Sequence, residues 1–257
     1  MKDEVATINE RHWERMVKEG CGYTIPWLEL DRNLIQKYVR GELDTALPDE
    51  LLDMTPHNIL ADVEGKDVLC LASGGGQQSA VFGLLSAKVT VVDISDGQLE
   101  GDRKAADHYG YGITTIHADM RDLSCLDDES FDIVYGTAIC YVPDIDKVYS
   151  EIARILRQGG VFRMDFRQPA VHFIAWDGDN YKITKPYFEK VDQREDGAIE
   201  FRHYMDDIFN GLIDVGLSIR QVVDLSRNKK PSPNAIPGSW THEDPYIGGE
   251  FVIIATK

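Results

Sequence analysis

The stretch Val68-Leu69-Cys70-Leu71-Ala72-Ser73-Gly74-Gly75-Gly76-Gln77-Gln78 decides the fold. The apolar run Asp67–Ala72 reads as a strand, the glycines read as a turn, and 77–86 reads as a helix. The same rhythm repeats downstream. Lys88–Asp93 is a second apolar, β-branched run, followed by a helix over 96–109. Ile113–His117 is a third strand. Phe131–Tyr135 is a fourth, with a helix over 144–157, and Gly160–Phe166 is a fifth. Strands alternating with helices at this spacing imply an α/β domain with a parallel sheet and crossover connections. Near-continuous apolar strands fit burial on both faces.

The flanks add elements of another kind. Residues 3–20 form an amphipathic pattern with Val5, Ile8, Met16 and Val17 among polar residues, stopping at Gly20 or Gly22. An apolar-aromatic segment, Tyr23 to Leu28, leads to a second helix over 29–40. Residues 41–64 read as irregular, with Pro48 and Pro56. Beyond the fifth strand, 167–205 breaks the rhythm and is rich in aromatics, which reads as an inserted cap of antiparallel strands. A helix over 206–215 stops at Gly216, and 217–225 and 249–256 read as two last strands. The loop between them, 226–248, carries four prolines and Trp240. With no linker between these parts, 1–257 reads as one domain. It comprises a helical N-terminal cover (1–65), a core (66–166), the cap (167–205) and a C-terminal helix and strands (206–257).

Composition narrows the partners. Lys and Arg number 27 against 44 Asp and Glu, a formal charge of −17. Such a balance disfavours nucleic acid, whose binding rests on basic side chains neutralising phosphates, and disfavours anionic lipid. Cys21, Cys70, Cys125 and Cys140 are far apart, with no CxxC, which argues against a disulfide framework or zinc site. The N-terminal MKDEVATINERHWERM has no apolar signal core, and no stretch approaches 18 apolar residues. The expectation is a cytoplasmic protein without a membrane span or metal.

The glycine turn then acquires a chemical reading. Glycine permits positive φ and close approach of a ligand, and the following helix start offers unpaired N–H groups to a carboxylate or phosphate. Asp93 ends the second strand 17 residues beyond Gly76, where an acid accepts from ribose hydroxyls. A turn that merely closes a tight corner is the competing account. A phosphate-binding P-loop fails, because Gln77 stands where Lys is needed. A dinucleotide fingerprint has Gly74 and Gly76 but Ser79 at the third glycine place. S-adenosylmethionine is the third candidate, its methionyl carboxylate at the turn and its ribose at Asp93. Asp119 in Ala118-Asp119-Met120-Arg121-Asp122-Leu123 favours it, since an acid after the third strand can accept from the adenine amine.

Together LCLASGGGQQS, VTVVDIS, HADMRDL, SFDIVYG and ILRQGGVF, spanning about 66–166, resemble a class I S-adenosylmethionine-dependent methyltransferase. CLASGGGQQ with DISDGQLEGDR resembles in particular a bacterial subgroup of small-molecule type. The resemblance implies a Rossmann-like seven-stranded sheet with helices on both faces, with S-adenosylmethionine as cofactor and S-adenosylhomocysteine as product. It further implies that Ser73, Gly74, Gly75 and Gly76 approach the methionyl part, Asp93 binds ribose and Ile94 packs on adenine. By the same token Asp119 and Met120 recognise adenine, and Thr137 lines the cofactor near the transferable methyl. Gln98, on the helix after Asp93, is a weaker member of this set, because its place on a helix better suits a solvated side chain. Two residues depart from the family pattern: Cys70 stands where an acid is common, and Ala72 replaces the usual first glycine.

Methyl transfer is an in-line displacement, for which alignment and exclusion of water supply most of the acceleration. A base is needed only where the nucleophile carries a proton. The sequence shows no nucleophile elbow and no compact His/Asp cluster. Tyr141, Asp165, His172, His203 and Tyr204 fall near the expected active face, and His203 and Tyr141 are taken as the catalytic candidates. Tyr23 and Trp27 suit either a cover over the cofactor or a staple to the sheet. The aromatic cap points to a small, planar or partly apolar acceptor. A nicotinamide-dependent oxidoreductase and a non-catalytic S-adenosylmethionine-binding protein are the alternatives.

Overall fold

The computed structural model describes residues 3–42, 54 and 56–257. Pro48 and half of the stretch read as irregular lie outside the described residues.

Seven strands form the sheet: β1 (Asp67–Leu71), β2 (Lys88–Asp93), β3 (Ile113–His117), β4 (Phe131–Gly136), β5 (Leu156–Arg167), β10 (Ser218–Asp224) and β11 (Glu250–Thr256). Their order is β10-β11-β5-β4-β1-β2-β3. The pairs β1–β2, β1–β4, β2–β3 and β4–β5 are parallel, and β11 runs antiparallel to both β5 and β10. The order reverses between β1 and β4, the switch point at whose carboxyl end open α/β sheets bind ligands.

Both faces of the sheet are covered. On one, Val68, Cys70, Val91, Ile133 and Tyr135 pack with α2 (Arg32–Val39), α3 (Gln78–Leu84) and α4 (Asp96–Tyr109). On the other, Leu69, Leu71, Val134, Phe162 and Met164 pack with α5 (Ile145–Ile155) and α6 (Met205–Asp214). Alternate residues of β1 therefore serve opposite cores, which is why the strand reads as continuously apolar. Cys70 is fully buried, so burial raises its thiol pKa and the residue acts as a small hydrophobe.

Local chemistry sets the helix ends. In α1 (Glu4–Glu19), the Asp3 side chain accepts from Ala6 N at 2.8 Å, and Gly20 closes the helix at φ +69°. Ser95 caps α4 by accepting from Gln98 N, and Gly110 ends it at φ +74°.

The cap is two hairpins, β6 (Ile174–Trp176) with β7 (Tyr181–Ile183) and β8 (Val191–Gln193) with β9 (Ile199–Phe201), as the aromatic antiparallel reading expects. The proline-bearing stretch read as a loop contains one further helix, α7 (Trp240–Ile247), which carries Pro245 inside it. The fifth strand starts at Leu156, directly after α5, rather than at Gly160.

Candidate active site

At the switch point the chain leaves both β1 and β4 through left-handed alanines, Ala72 at φ +49° and Ala138 at φ +60°. That conformation costs a non-glycine residue roughly 1–2 kcal/mol. Thr137 offsets it by joining the two strand ends. Its hydroxyl donates to the Ala72 carbonyl at 2.5 Å and its N–H to the Leu71 carbonyl at 3.2 Å. Ala72 thus adopts the backbone shape that the family's usual glycine supplies.

The glycine turn follows, and its three amides all have partners inside the protein. Gly74 N donates to Asp93 Oδ2 at 3.1 Å. Gly75 N donates to Asp102 Oδ2 at 3.2 Å and to the Gln98 carbonyl, and Gly76 N to Asp102 Oδ1 at 3.0 Å. The glycine amides are therefore engaged within the protein, and the N–H groups expected to meet a carboxylate are those of the helix start that follows. The glycines of the turn permit close internal packing. A Cβ on Gly76 would overlap the Gly101 carbonyl and lie 3.0 Å from Pro26 Cβ. One on Gly75 would lie 3.1 Å from the Tyr23 carbonyl oxygen. Ser73 Oγ, against the Cys70 thiol, and the Gln78 Oε1 and Gln98 Oε1 atoms are buried without oxygen or nitrogen partners. Gln98 is buried, not solvated. Two orphaned amide oxygens and a hydroxyl met only by a thiol, all flanking one turn, fit a polar ligand such as the methionyl end of the cofactor.

Asp93 ends β2 beside this turn. It accepts from Gly74 N and, at 2.9 Å, from Ser95 N, so each oxygen keeps capacity for a hydroxyl. Burial pushes its pKa up to about 6, against the opposing pull of those N–H groups. Ile94 is half-buried, and its carbonyl meets His117 Nε2 at 2.6 Å. Asp119 follows β3 and is held by Arg121 through Nε and Nη2, the latter at 2.6 Å. Arg121 Nη1 also reaches Asp3 Oδ2 at 2.6 Å, tying the start of α1 to the acid expected at adenine. Met120 is buried in the core beneath.

Asp102 is the residue the sequence reading missed. It is fully buried and accepts from Gly75 N, Gly76 N and, at 2.5 Å, from Ser79 Oγ. Burial first, and then the nearby Asp93 charge, raise its pKa to about 7. A Gly-Asp pair inside a helix, Gly101-Asp102, was the available signal, because neither residue favours a helix interior.

The N-terminal segment lies on the turn. Trp27 N donates to the Gly76 carbonyl at 3.2 Å, and Gln77 Nε2 donates to the carbonyls of Gly22 and Ile25. Tyr109 OH donates to the Trp27 carbonyl at 2.9 Å. Trp27 is thereby a staple, while Tyr23 is 67% exposed and meets the turn through its backbone. Glu14 of α1 accepts from Ser95 Oγ and Gly97 N at the start of α4. Asn9 exchanges two hydrogen bonds with Ile199 of β9, each 2.9 Å, and donates to the Tyr141 carbonyl at 3.0 Å. Helix α1 thus joins the start of α4, the cap and the loop after β4.

The catalytic candidates lie beyond β4 and β5. Tyr141 packs edge-on against Trp13, ring centroids 5.5 Å apart, and burial raises its phenol pKa. His203 is buried, with Nε2 3.2 Å from the Ile139 carbonyl. A carbonyl can only accept, so Nε2 carries the proton, and burial lowers the pKa and keeps the ring neutral. His203 and His172 line a cavity of about 10 Å³, room for one water. Asp165 pairs with the buried Arg163 at 2.5 Å, and the Tyr204 hydroxyl donates to the Tyr187 carbonyl.

Folding also assembles a group that the sequence scattered. His172, Asp192 and Glu200 bring ligand-type atoms within 4.8 Å of one another. Cationic side chains already serve these carboxylates: Lys185 on Asp192, and Arg167 and Arg194 on Glu200. Among the described residues no helix is long and apolar enough to cross a membrane.

Comparison with known proteins accords with this geometry. The family described as a methyltransferase domain matches residues 69–164. The chain is 31% identical over 226 residues to the uncharacterised methyltransferase YbaJ of Bacillus subtilis, covering 82% of this chain and 87% of that one. An S-adenosylmethionine-dependent methyltransferase from Mesorhizobium loti shares the fold at 20% identity and a TM-score of 0.63, covering 78% of this chain and 94% of that one. Geranyl diphosphate C-methyltransferase from Streptomyces coelicolor shares it at 14% identity and a TM-score of 0.64, covering 99% and 98%. With its strand order, its glycine turn and a relative of that identity along most of its length, the chain belongs to the class I S-adenosylmethionine-dependent methyltransferases.

Proposed function

We propose that the protein transfers a methyl group from S-adenosylmethionine to a small-molecule acceptor by in-line displacement. The observation that supports this reading is the convergence of the glycine turn, Asp93, Asp119 and Thr137 at the carboxyl ends of the four adjacent strands β1 to β4. In this reading Asp93 accepts from the ribose hydroxyls and Ile94 packs on adenine. Asp119 and the Met120 backbone meet the adenine edge. Ser73, Gln78 and Gln98 supply the polar atoms nearest the methionyl end, and Gly74 to Gly76 provide the floor beside it. Thr137 stands where the methyl leaves.

The cofactor, when bound, supplies an electrophilic methyl carbon on a sulfonium. The chain's own part is to hold the acceptor in line and exclude water. The cover built from α1, residues 22–27 and the β8–β9 hairpin serves that exclusion. Tyr141 and Trp13, packed edge to face, offer aromatic surface beyond β4, which suits a planar or partly apolar acceptor. His203, neutral and donating to the loop after β4, fits a positioning role for that loop, with Nδ1 as its remaining acceptor.

Calorimetry with S-adenosylhomocysteine and with NAD tests the reading. Binding of the first at micromolar order and none of the second is the expected result. A methyl-transfer screen across acceptor classes then separates an enzyme from a binding protein. Failure to bind S-adenosylhomocysteine overturns the proposal.

A further inference from the structure

The glycine turn poses a question that its own sequence does not answer. Gly75 at φ +101° and Gly76 at φ +78° expose their amides on one side, as a nest that attracts an anion. In this protein the anion is internal. Asp102 projects from α4 with zero exposure and occupies the nest with both carboxylate oxygens, Oδ2 on Gly75 N and Oδ1 on Gly76 N. Ser79, near the start of α3, donates its hydroxyl to Oδ1, so the carboxylate bridges two helices and the turn between them. The approach is close because α4 carries glycine at 101. A Cβ there would fall 2.8 Å from the Gly75 carbonyl carbon. Gly101 and Asp102 form one device: the first lets α4 touch the turn, the second locks the turn's amides.

We propose that Asp102 is the positioning residue that fixes the glycine turn in the shape that receives the methionyl end of the cofactor. This rests on the reading of the cofactor site given above. Asp102 touches neither ribose nor adenine in that reading. Its action passes through the backbone of Gly75 and Gly76 to the tail of the ligand. The adenosine end is held by Asp119 and by Asp93, which meets the turn through Gly74 N and not through the two amides that Asp102 holds.

That division gives a test that plain destabilisation would not satisfy. Asp102→Asn keeps the shape but leaves one oxygen to accept and turns an NH₂ toward an amide N–H. Calorimetry well below the melting temperature would compare S-adenosylhomocysteine with adenosine, which lacks the amino-acid tail. The expected result is affinity for S-adenosylhomocysteine weakened about tenfold or more, with adenosine affinity unchanged within about twofold. Equal losses for both ligands, or no loss for either, overturn the proposal. Absence of S-adenosylhomocysteine binding to the unaltered protein overturns instead the cofactor reading on which it rests. Should Asp102→Asn fail to fold, Ser79→Ala replaces it. That variant removes the hydroxyl that orients Oδ1 and is expected to weaken S-adenosylhomocysteine several-fold and adenosine not at all, and unchanged affinity for both likewise refutes the role.

Discussion

Two glycines at nearly the same backbone angle separate conformational need from close approach. Gly76 lies at φ +78° and Gly110 at φ +74°, so alanine at either meets a similar left-handed penalty, roughly 1–2 kcal/mol. Their surroundings differ. A Cβ on Gly110 meets nothing within 4 Å, whereas one on Gly76 overlaps the Gly101 backbone, with the carbonyl carbon at 2.8 Å, and crowds Pro26 at 3.0 Å. Neither obstacle is the tip of a flexible side chain, so α4 or the N-terminal segment must move. Overpacking of that kind costs roughly 1–3 kcal/mol. Displacing the segment also breaks the hydrogen bond from Trp27 N to the Gly76 carbonyl, worth about 1 kcal/mol. Gly76→Ala is therefore expected to destabilise the protein by roughly 2–4 kcal/mol more than Gly110→Ala does. Urea denaturation of both variants measures it, with equal slopes required for the comparison. A difference below about 0.5 kcal/mol, within the error of such comparisons, would mean that Gly76 is there for its φ alone and that the segment does not press on the turn.

Asp93→Ala should weaken S-adenosylhomocysteine by roughly 1.5–3 kcal/mol, the range for hydrogen bonds to a charged group, and calorimetry showing unchanged affinity would remove Asp93 from the ribose. Asn9→Ala strips partners from the Ile199 N–H, the Ile199 carbonyl and the Tyr141 carbonyl. Because water reaches part of this site, a loss of roughly 1.5–3 kcal/mol is expected, and unaltered hydrogen exchange at Ile199 would contradict the pinning of α1 to the cap. Stability and cofactor affinity should respond to pH in opposite senses. Asp93 and Asp102 titrate near 6 and 7 when folded against 3.8 when unfolded, so between about pH 4 and 7 the folded chain holds protons that the unfolded chain has released. Their contribution to stability therefore falls as pH rises through that window. Affinity that depends on an ionised Asp93 instead rises through about pH 6. Urea midpoints at pH 5 and pH 8 read the first trend and calorimetry the second. Asp102→Asn should flatten the stability trend, and an equally steep trend in that variant would assign it to other groups.

The inner strands β1, β2 and β4 were legible because each carries its apolar run on both faces, whereas β3, at the sheet edge, reads from its isoleucines and threonines. β1, β2 and β3 fall within a residue of the reading, and the helix over 96–109 matches α4. Asp93 was legible because its position at a strand end has a chemical meaning. Asp102 was not, because a lone acid in a polar helix resembles a solvated one until the turn is folded against it. The buried face of α1 escaped for a related reason. Periodicity pointed to Val5, Ile8, Met16 and Val17, yet Ala6, Asn9 and His12 are the buried residues, and two of these are polar and bonded to cap backbone. Prolines hid α7, since Pro245 sits inside it. His172, Asp192 and Glu200 stand too far apart in sequence to signal a cluster; β8–β9 pairing sets Asp192 opposite Glu200, and the turn before β6 brings His172 beside them.

The bond between Asn9 and Ile199 spans 190 residues, and it sets an order of assembly. Helix α1 leaves the ribosome before its partner strand, which is synthesised 190 residues later. At about 5–20 residues per second, the helix waits roughly 10–40 s for the edge it is built to meet. During that interval its docking face is open to every other nascent chain. A face of leucines would be a liability there. Asn9 and His12 make it one that water can satisfy until β9 arrives, so the polar character that hid the helix's orientation in the sequence also protects the chain while it is being made.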